Sequence, residues 1–166
     1  PLDVGVVVVN VNTVIAIAKA VCFDQPILEK VITVSGGGVN IPKNLRVKIG
    51  TKFSEVLDFC GGTNNRMERL VVGGPMMGFS QSDDQASVTK TTTGLLCLTK
   101  KEVGNDTILP CLRCGSCVAQ CPMNLLPLDL AKYVEYSRLD MAVKNGLRDC
   151  IECGTCVFVC PSKRPL

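Results

Sequence analysis

Eight cysteines near the C-terminal end of the chain are regularly spaced. They form two copies of the pattern C-x2-C-x2-C-x3-C-P, and Cys150 follows Cys111 by 39 residues. This run is typical of bacterial ferredoxins that hold two 4Fe-4S clusters, in which the first three thiolates of a copy bind one cluster and the fourth binds the other. The first copy contains Cys111, Cys114, Cys117 and Cys121, and the second contains Cys150, Cys153, Cys156 and Cys160.

The spacing and the prolines together predict crossed ligation. Three cysteines at every third position let one tight loop offer three sulfurs to three irons, so the fourth iron takes its ligand from a distant segment. Pro122 and Pro161 fix their own φ and donate no N–H, which turns the chain away after each fourth cysteine. Site 1 is predicted to consist of Cys111, Cys114, Cys117 and Cys160, and site 2 of Cys150, Cys153, Cys156 and Cys121.

Zinc and disulfides are the alternatives for these thiols. Structural zinc is usually bound by two separated Cys-x-x-Cys pairs, and a third cysteine with a trailing proline fits that arrangement poorly. Disulfides suit small secreted chains, but the 11 cysteines are odd in number. Structural zinc therefore stays open as the second interpretation.

Three further cysteines stand alone, more than ten residues from the two copies. Cys22, Cys60 and Cys97 each lie beside apolar residues. Free cysteine commonly behaves as a small buried hydrophobe. We therefore expect all three to be buried and to bind no metal.

The composition excludes several classes of function. A formal charge of +3 without a basic stripe, and 4% aromatic residues, argue against nucleic acid as a partner. The chain has no histidine, so the commonest general base is absent. Residues 4–21 are interrupted by Asn10, Asn12, Thr13 and Lys19, so no membrane-spanning helix is predicted. We expect a chain that stays in solution or reaches a membrane through a partner.

The first hundred residues predict a short helix followed by a small α+β unit. Asn12 or Thr13 can cap an apolar helix over residues 14–21, which would require a neighbouring domain to bury it. Strands are predicted at residues 31–34, 45–49, 70–72 and 94–98, with a turn at residues 36–38. Thr51 can cap a helix that ends before Gly61. These elements indicate a β-grasp fold over residues 30–100.

Two loops of this unit are candidate contact surfaces: the GGPMMG loop (residues 73–78) and the hydroxyl-rich stretch at residues 87–93. Neither loop carries a glycine-rich phosphate-binding signature, so no nucleotide site is predicted in the chain. We expect ordinary connecting loops with packing methionines.

The C-terminal part is predicted to be a separate domain. Residues 101–109 form a polar linker, and residues 110–166 contain both cysteine copies. Between the copies, one helix is predicted after Pro127 and another over residues 140–145 before Gly146. Two such helices point to the helical variety of dicluster ferredoxin.

With these features in place, the chain resembles the C subunit of the Rnf electron-transport complex, the membrane-bound ferredoxin:NAD oxidoreductase of bacteria. The resemblance covers nearly the whole chain. Its marks are DVGVVV at residues 3–8, NV at 10–11, the GGPMMG loop, VTK at 88–90, both cysteine copies and the ending CPSKRPL at 160–166.

The resemblance implies a soluble-ligand-binding β-grasp domain followed by a dicluster ferredoxin domain, with two 4Fe-4S clusters. It also implies that flavin mononucleotide and NADH bind in an upstream domain, of which residues 1–29 are a helical remnant. The chain is then expected to be a piece of a longer protein that lies peripherally on the cytoplasmic face of the bacterial inner membrane. Its partners would be other subunits of the complex and a ferredoxin or flavin domain.

The first functional hypothesis is a one-electron relay in a complex that couples electron transfer to ion translocation. The first alternative is an electron-transfer flavoprotein fragment similar to the cobalamin reductase of propanediol-utilising compartments, which shares this layout. The second is a subunit-docking module whose cysteines bind structural zinc. Because no flavin or nucleotide site is predicted, we expect no enzymatic turnover by these 166 residues alone.

Overall fold

The computed structural model describes residues 4–104 and 107–166. Residues 1–3, where the predicted remnant begins, and Asn105 and Asp106 of the predicted linker lie outside the described residues. The elements in chain order are α1 (Val11–Phe23), β1 (Glu29–Ser35), β2 (Lys43–Lys48), α2 (Phe53–Phe59), β3 (Met67–Val72), β4 (Phe79–Gln81), β5 (Gly94–Thr99), α3 (Lys100–Val103), α4 (Ser116–Ala119), α5 (Pro127–Glu135), α6 (Leu139–Lys144), a 3-10 helix (Leu147–Asp149) and α7 (Thr155–Phe158).

A five-stranded mixed sheet forms the first half of the structure. Its strand order is β2-β1-β5-β3-β4. β1 pairs antiparallel with β2 and parallel with β5, and β3 lies antiparallel to both β5 and β4. The predicted hairpin and strands are present. The edge strand β4 was not predicted, because its three residues follow a loop and show no extended apolar alternation.

The turn after β1 requires glycine. Gly36 has φ +105, and a Cβ there would lie 2.1 Å from the Cys97 carbonyl oxygen. The neighbouring Gly38 N–H donates to that same carbonyl at 2.8 Å. The turn can therefore approach the backbone of the adjacent strand β5 this closely only at a residue without a side chain.

The hydrophobic core lies between one face of the sheet and α2. Strand alternation points Ile32 and Val34 of β1 into this core, and both are almost fully buried. The N-cap of α2 is Lys52, without a side-chain hydrogen bond, so the prediction that Thr51 caps this helix was wrong. The core consists of Ile32, Val34, Val39, Val47, Phe53, Val56, Leu57, Cys60, Leu70, Val88, Leu95 and Cys97.

Helix α1 carries no buried residue. Its N-cap is Asn10, whose side-chain oxygen accepts from the Asn12 N–H at 2.9 Å, so the helix begins three residues before the predicted position. Val14, Ile15 and Ile17 are all exposed. None of the helices in the described residues is long and apolar enough to cross a lipid bilayer.

A short helix, α3, occupies the start of the predicted linker. Thr99 and Glu102 form a capping box, in which the Glu102 carboxylate accepts from the Thr99 N–H at 2.7 Å. The same carboxylate accepts from the Gly37 N–H at 3.1 Å, which ties α3 to the turn after β1. These bonds, Thr99 first, lower the pKa of Glu102.

The cysteine-rich region is built from short helices with little core of its own. Helices α5 and α6 contact each other between the two copies, close to the predicted positions. Leu130 of α5 and Ala142 of α6 are buried where these helices pack. At the ends of the region, the Leu109 N–H donates to the Ser162 carbonyl and the buried Ser162 hydroxyl donates to the Pro110 carbonyl, both at 2.9 Å.

Candidate metal centre

The two cysteine copies have the same backbone conformation. Each copy places a residue with positive φ two positions after its first cysteine, one position after its second cysteine and three positions after its fourth. The φ values are 55 at Arg113, 75 at Gly115 and 54 at Asn124 in the first copy, and 52 at Glu152, 72 at Gly154 and 51 at Lys163 in the second. The repeat in the cysteine spacing is therefore also a repeat of local structure.

One short helix in each copy presents the third cysteine. The left-handed glycines Gly115 and Gly154 precede α4 and α7, and these helices carry Cys117 and Cys156. Left-handed conformation is cheap for glycine, so the chain can turn sharply from the second cysteine into the helix. The two helices contact each other, which brings the two copies together.

A cavity of about 180 Å³ joins the two copies at site 1. Its lining includes Cys111, Cys114 and Cys117 from the first copy and Cys160 from the second. Three thiols from one loop and one thiol from a distant segment therefore face the same space. This is the combination of cysteines that the spacing predicts for site 1.

At site 2, Cys153 and Cys156 are partly exposed, as is Cys121 from the first copy, while Cys150 is exposed. The repeated backbone and the contact between α4 and α7 give site 2 the same local construction as site 1.

The arrangement of the thiols differs from a site for a single ion. Among residues 4–104 and 107–166, no group of three or more cysteine or acidic side chains could hold one metal ion. In a zinc site all four sulfurs lie about 2.3 Å from one ion. In a 4Fe-4S cluster each cysteine binds a different iron, so the sulfurs stand farther apart. The described thiols are not gathered around a single ion position, which is compatible with the wider spacing of a cluster.

Backbone N–H groups surround the sulfurs in both copies. Two residues after the first cysteine, Arg113 donates to Cys111 Sγ and Glu152 donates to Cys150 Sγ, both at 3.4 Å. Four residues after the last cysteine, Leu125 donates to Cys121 Sγ at 3.4 Å and Arg164 donates to Cys160 Sγ at 3.5 Å. Such bonds favour the thiolate and tune the clusters that thiolates bind.

Hydroxyl groups lie beside the second cysteine of each copy. Ser116 Oγ is 3.4 Å from Cys114 Sγ, and Thr155 Oγ1 is 3.3 Å from Cys153 Sγ. These hydroxyls are the largest cause that lowers the pKa of Cys114 and of Cys153. Burial raises the pKa of Cys156. Because a cysteine must lose its proton to bind metal, the two hydroxyls favour loading.

A buried donor at site 1 supports the fit of a bound group. Arg164 lines the cavity, and its Nε is buried without a hydrogen-bond partner among the described residues. Buried donors are almost always paired in native proteins. An electron-rich sulfur of a cluster in this cavity could accept that N–H, so the residues present fit a 4Fe-4S group.

The second copy lies against the sheet at the GGPMMG loop. A Cβ on Gly154 would lie 2.8 Å from the Met76 carbonyl oxygen, so only glycine fits there. A groove of about 780 Å³ is lined by this loop, by the threonines of residues 89–93 and by Cys153. Both loops singled out in the sequence therefore meet the cysteine region. The loops were not predicted to meet this region, and Gly154 is the residue of the sequence that the contact requires.

The three single cysteines divide into two kinds. Cys60 and Cys97 are fully buried in the sheet core, as expected. Cys22 is exposed on α1, so the expectation that it is buried was wrong. Helix α1 carries apolar residues on nearly every side, a pattern that usually indicates burial. Whether another segment packs over the helix depends on distant contacts, which the local sequence does not show.

Two families match the chain. Residues 31–80 match the SLBB domain, and residues 103–164 match the 4Fe-4S dicluster domain. The predicted fold class, an α+β β-grasp unit followed by a dicluster ferredoxin domain, is confirmed. The second match also assigns two 4Fe-4S clusters to the chain.

Similar proteins are C subunits of ion-translocating oxidoreductase complexes. The C subunit of the proton-translocating ferredoxin:NAD(+) oxidoreductase complex of Clostridium ljungdahlii is 46% identical over 127 residues, which are 76% of this chain and 28% of the relative. The C subunit of the ion-translocating oxidoreductase complex of Rhodobacter capsulatus is 43% identical over 145 residues, 87% of this chain and 28% of the relative. The corresponding protein of the Na(+)-translocating complex of Acetobacterium woodii is 42% identical over all 166 residues, 38% of its length.

The sheet domain and the paired cysteine loops define an iron–sulfur protein that joins an SLBB domain to a dicluster ferredoxin domain. More particularly, the chain belongs to the family of C subunits of the ion-translocating oxidoreductase complexes, as its sequence motifs indicated. The chain spans 28% to 38% of the length of these three relatives.

Proposed function

We propose that this chain is a one-electron relay in an ion-translocating ferredoxin:NAD oxidoreductase complex. The observation that carries the proposal is the cavity at site 1, where three thiols of the first copy meet Cys160 of the second. Each bound 4Fe-4S cluster would accept and pass on one electron at a time. The names of the relatives supply the setting of ferredoxin, NAD and a translocated ion.

The proposed ligands are Cys111, Cys114, Cys117 and Cys160 at site 1, and Cys150, Cys153, Cys156 and Cys121 at site 2. The lining of the cavity supports the first set. The matching φ values and N–H donors of the second copy support the other set by symmetry. Crossed ligation ties the two copies into one unit, because each site then draws on both ends of the region.

The residues around the sulfurs have three tasks. The loops hold the thiols apart so that each can bind a different iron. The N–H groups of Arg113, Leu125, Glu152 and Arg164 donate to sulfur and thereby stabilise negative charge there. Leu112, Val118, Leu126 and Leu128 supply an apolar wall to the site 1 cavity.

The chain is proposed to work with neighbouring subunits and domains. We place the domain boundaries at residues 30–100 for the SLBB unit, 101–109 for the linker and 110–166 for the ferredoxin unit, with residues 1–29 belonging to an upstream domain. Flavin mononucleotide and NADH are proposed to bind outside these 166 residues. The electron partners are then a ferredoxin or a flavin domain, and the complex holds the chain at the cytoplasmic face of the bacterial inner membrane.

Metal analysis of anaerobically prepared protein tests the proposal. We expect brown protein with about eight irons and eight sulfides per chain, which is the content of two 4Fe-4S clusters. Reduced ferredoxin should bleach the visible absorption, while added NAD yields no NADH. Colourless protein that contains zinc after anaerobic preparation would instead support a docking module, and NADH formation by this chain alone would contradict the relay.

A further inference from the structure

The two sites differ sharply in charge although their backbones match. Residues 39 positions apart occupy equivalent places in the two copies. Across residues 110–125 and 149–164, four such places differ in side-chain charge. The pairs, first copy then second, are Pro110 and Asp149, Arg113 and Glu152, Asn124 and Lys163, and Leu125 and Arg164.

Crossed ligation places the positive members of these pairs together at site 1. Arg113 bonds Cys111 Sγ through its N–H, and Arg164 bonds Cys160 Sγ in the same way, with Lys163 between Arg164 and that cysteine. Site 2 receives the two acidic members instead, although the basic residue Arg148 directly precedes Asp149. Asp149 precedes Cys150, and the Glu152 N–H bonds Cys150 Sγ.

Of the two arginines that line the site 1 cavity, Arg164 is the more buried. It lines the cavity, and only 26% of its side chain is exposed. One terminal nitrogen pairs with Glu135 Oε1 at 3.3 Å, whereas Nε is buried and has no partner in the part of the chain that the structure describes. Arg113 and Asp129 also line the cavity, and Glu135 contacts it only through Arg164. Lys163 is exposed and is not part of the lining.

This charge pattern bears on electron affinity. Reduction adds one negative charge to a cluster, and a nearby cation with a donor aimed at the sulfurs stabilises that charge. The interaction is strong where the groups are partly buried, because solvent and salt screen it less. Acidic residues beside the other site have the opposite effect.

We propose that Arg164, supported by Arg113 and Lys163, raises the reduction potential of the cluster at site 1 above that of the cluster at site 2. The transferred electron then rests at site 1. Gly154, in the second copy, abuts the GGPMMG loop of the sheet domain, whereas no residue of the sheet lines the cavity at site 1. Downhill transfer within the chain therefore runs from the sheet side toward site 1. This inference rests on the proposed relay and its ligand assignment.

A reciprocal exchange of the equivalent residues tests the proposal. Redox titration followed by electron paramagnetic resonance should show two separate midpoints in the 166-residue chain. Arg164→Leu should lower the higher midpoint by at least a tenfold change in the reduction equilibrium, about 59 mV for one electron, and leave the lower one in place. Leu125→Arg should raise the lower midpoint instead.

Two conservative variants separate electrostatics from structure. Arg164→Lys keeps the charge but removes Nε, so it should recover part of the shift that Arg164→Leu causes. Glu135→Gln leaves Arg164 in place and removes its negative partner, so it should raise the higher midpoint. The shift should be small because Glu135 is half-exposed.

Iron content distinguishes failure of this inference from failure of the relay. Wild-type protein without iron would overturn the proposed function itself. With about eight irons bound, an unchanged higher midpoint in Arg164→Leu overturns the inference. If Arg164→Leu loses iron, the test passes to Glu135→Gln and Leu125→Arg. Glu135→Gln should raise the higher midpoint and Leu125→Arg the lower one. If neither midpoint rises, the inference is overturned. Cys121→Ala, which should leave only site 1, must retain the higher of the two midpoints.

Discussion

The sheet region and the cysteine region of this chain are stabilised in different ways. The sheet buries a contiguous cluster of twelve residues between its strands and α2. The cysteine region, by contrast, has four-residue helices at its sites, and among its described residues the buried apolar side chains are Pro127, Leu130 and Ala142. Burial of apolar surface can account for the stability of the sheet region but contributes little to that of the cysteine region. The difference indicates that bound clusters supply most of the stability of the cysteine region.

Removal of iron should produce the largest effect and should be confined to one region. We expect chelation of iron from the reduced or oxidised protein to unfold the cysteine region, because metal binding and folding are coupled where little core exists. The sheet should stay folded. Hydrogen exchange followed by mass spectrometry checks this: the amides of α5 and α6 should lose protection, while those of β1 and β5 keep it. Equal loss in both regions would contradict the difference between them.

Loss of one crossed ligand should affect one site only. Cys121→Ala should remove the cluster held by Cys150, Cys153 and Cys156, and iron should fall by about four atoms per chain. Cys22→Ser is the matched control, because Cys22 is exposed on α1, and it should keep all of its iron. Iron analysis with electron paramagnetic resonance measures both. Loss of the cluster at site 1 in Cys121→Ala would mean that ligation is not crossed.

A cavity created in the sheet core should destabilise the sheet and leave the iron content of the cysteine region unchanged. Ile32 is 1% exposed, so Ile32→Ala should cost about 2–5 kcal/mol in the free energy of unfolding of the sheet. Val31, its neighbour on the other face of β1, is 53% exposed, and Val31→Ala should change stability by only about 0.5 kcal/mol. Urea unfolding followed by circular dichroism measures both variants. A change in iron content for Ile32→Ala would show that the two regions depend on each other.

Local patterns predicted most of the fold and the candidate ligands. The hairpin, the strands, the helices between the copies and the meeting of Cys160 with the first copy all follow from short-range spacing or from the repeat. The missed features depend on distant contacts or on single hydrogen bonds. The side-chain hydrogen bond of Asn10 starts α1 earlier than predicted. The contact of Gly154 with Met76 joins segments almost eighty residues apart. The basic residues Arg113, Lys163 and Arg164 are visible in the sequence, whereas the place of Arg164 in the lining of the site 1 cavity comes from the structure.

The smallest expected effect concerns the pH dependence of the sheet. Burial, followed by the nearby Cys60, raises the pKa of the Cys97 thiol to about 11 from an ordinary value of 9.0. Because the folded state holds this proton more tightly than the unfolded state, the contribution of Cys97 is complete below pH 9 and is lost as the pH rises through about 11. At pH 10 the loss should be about 1.4 kcal/mol, the equivalent of one pKa unit.

Cys97→Ala provides the comparison for this effect, since it removes the thiol but keeps the other titrating groups. The variant should be less stable at pH 7 because of the cavity, yet its stability should fall less between pH 7 and pH 10 than that of the wild type. Urea unfolding of the sheet at the two pH values measures the difference. Burial also raises the pKa of Cys60, so part of the dependence should persist in the variant. An identical fall in both proteins would show that the Cys97 thiol is not held protonated by the core.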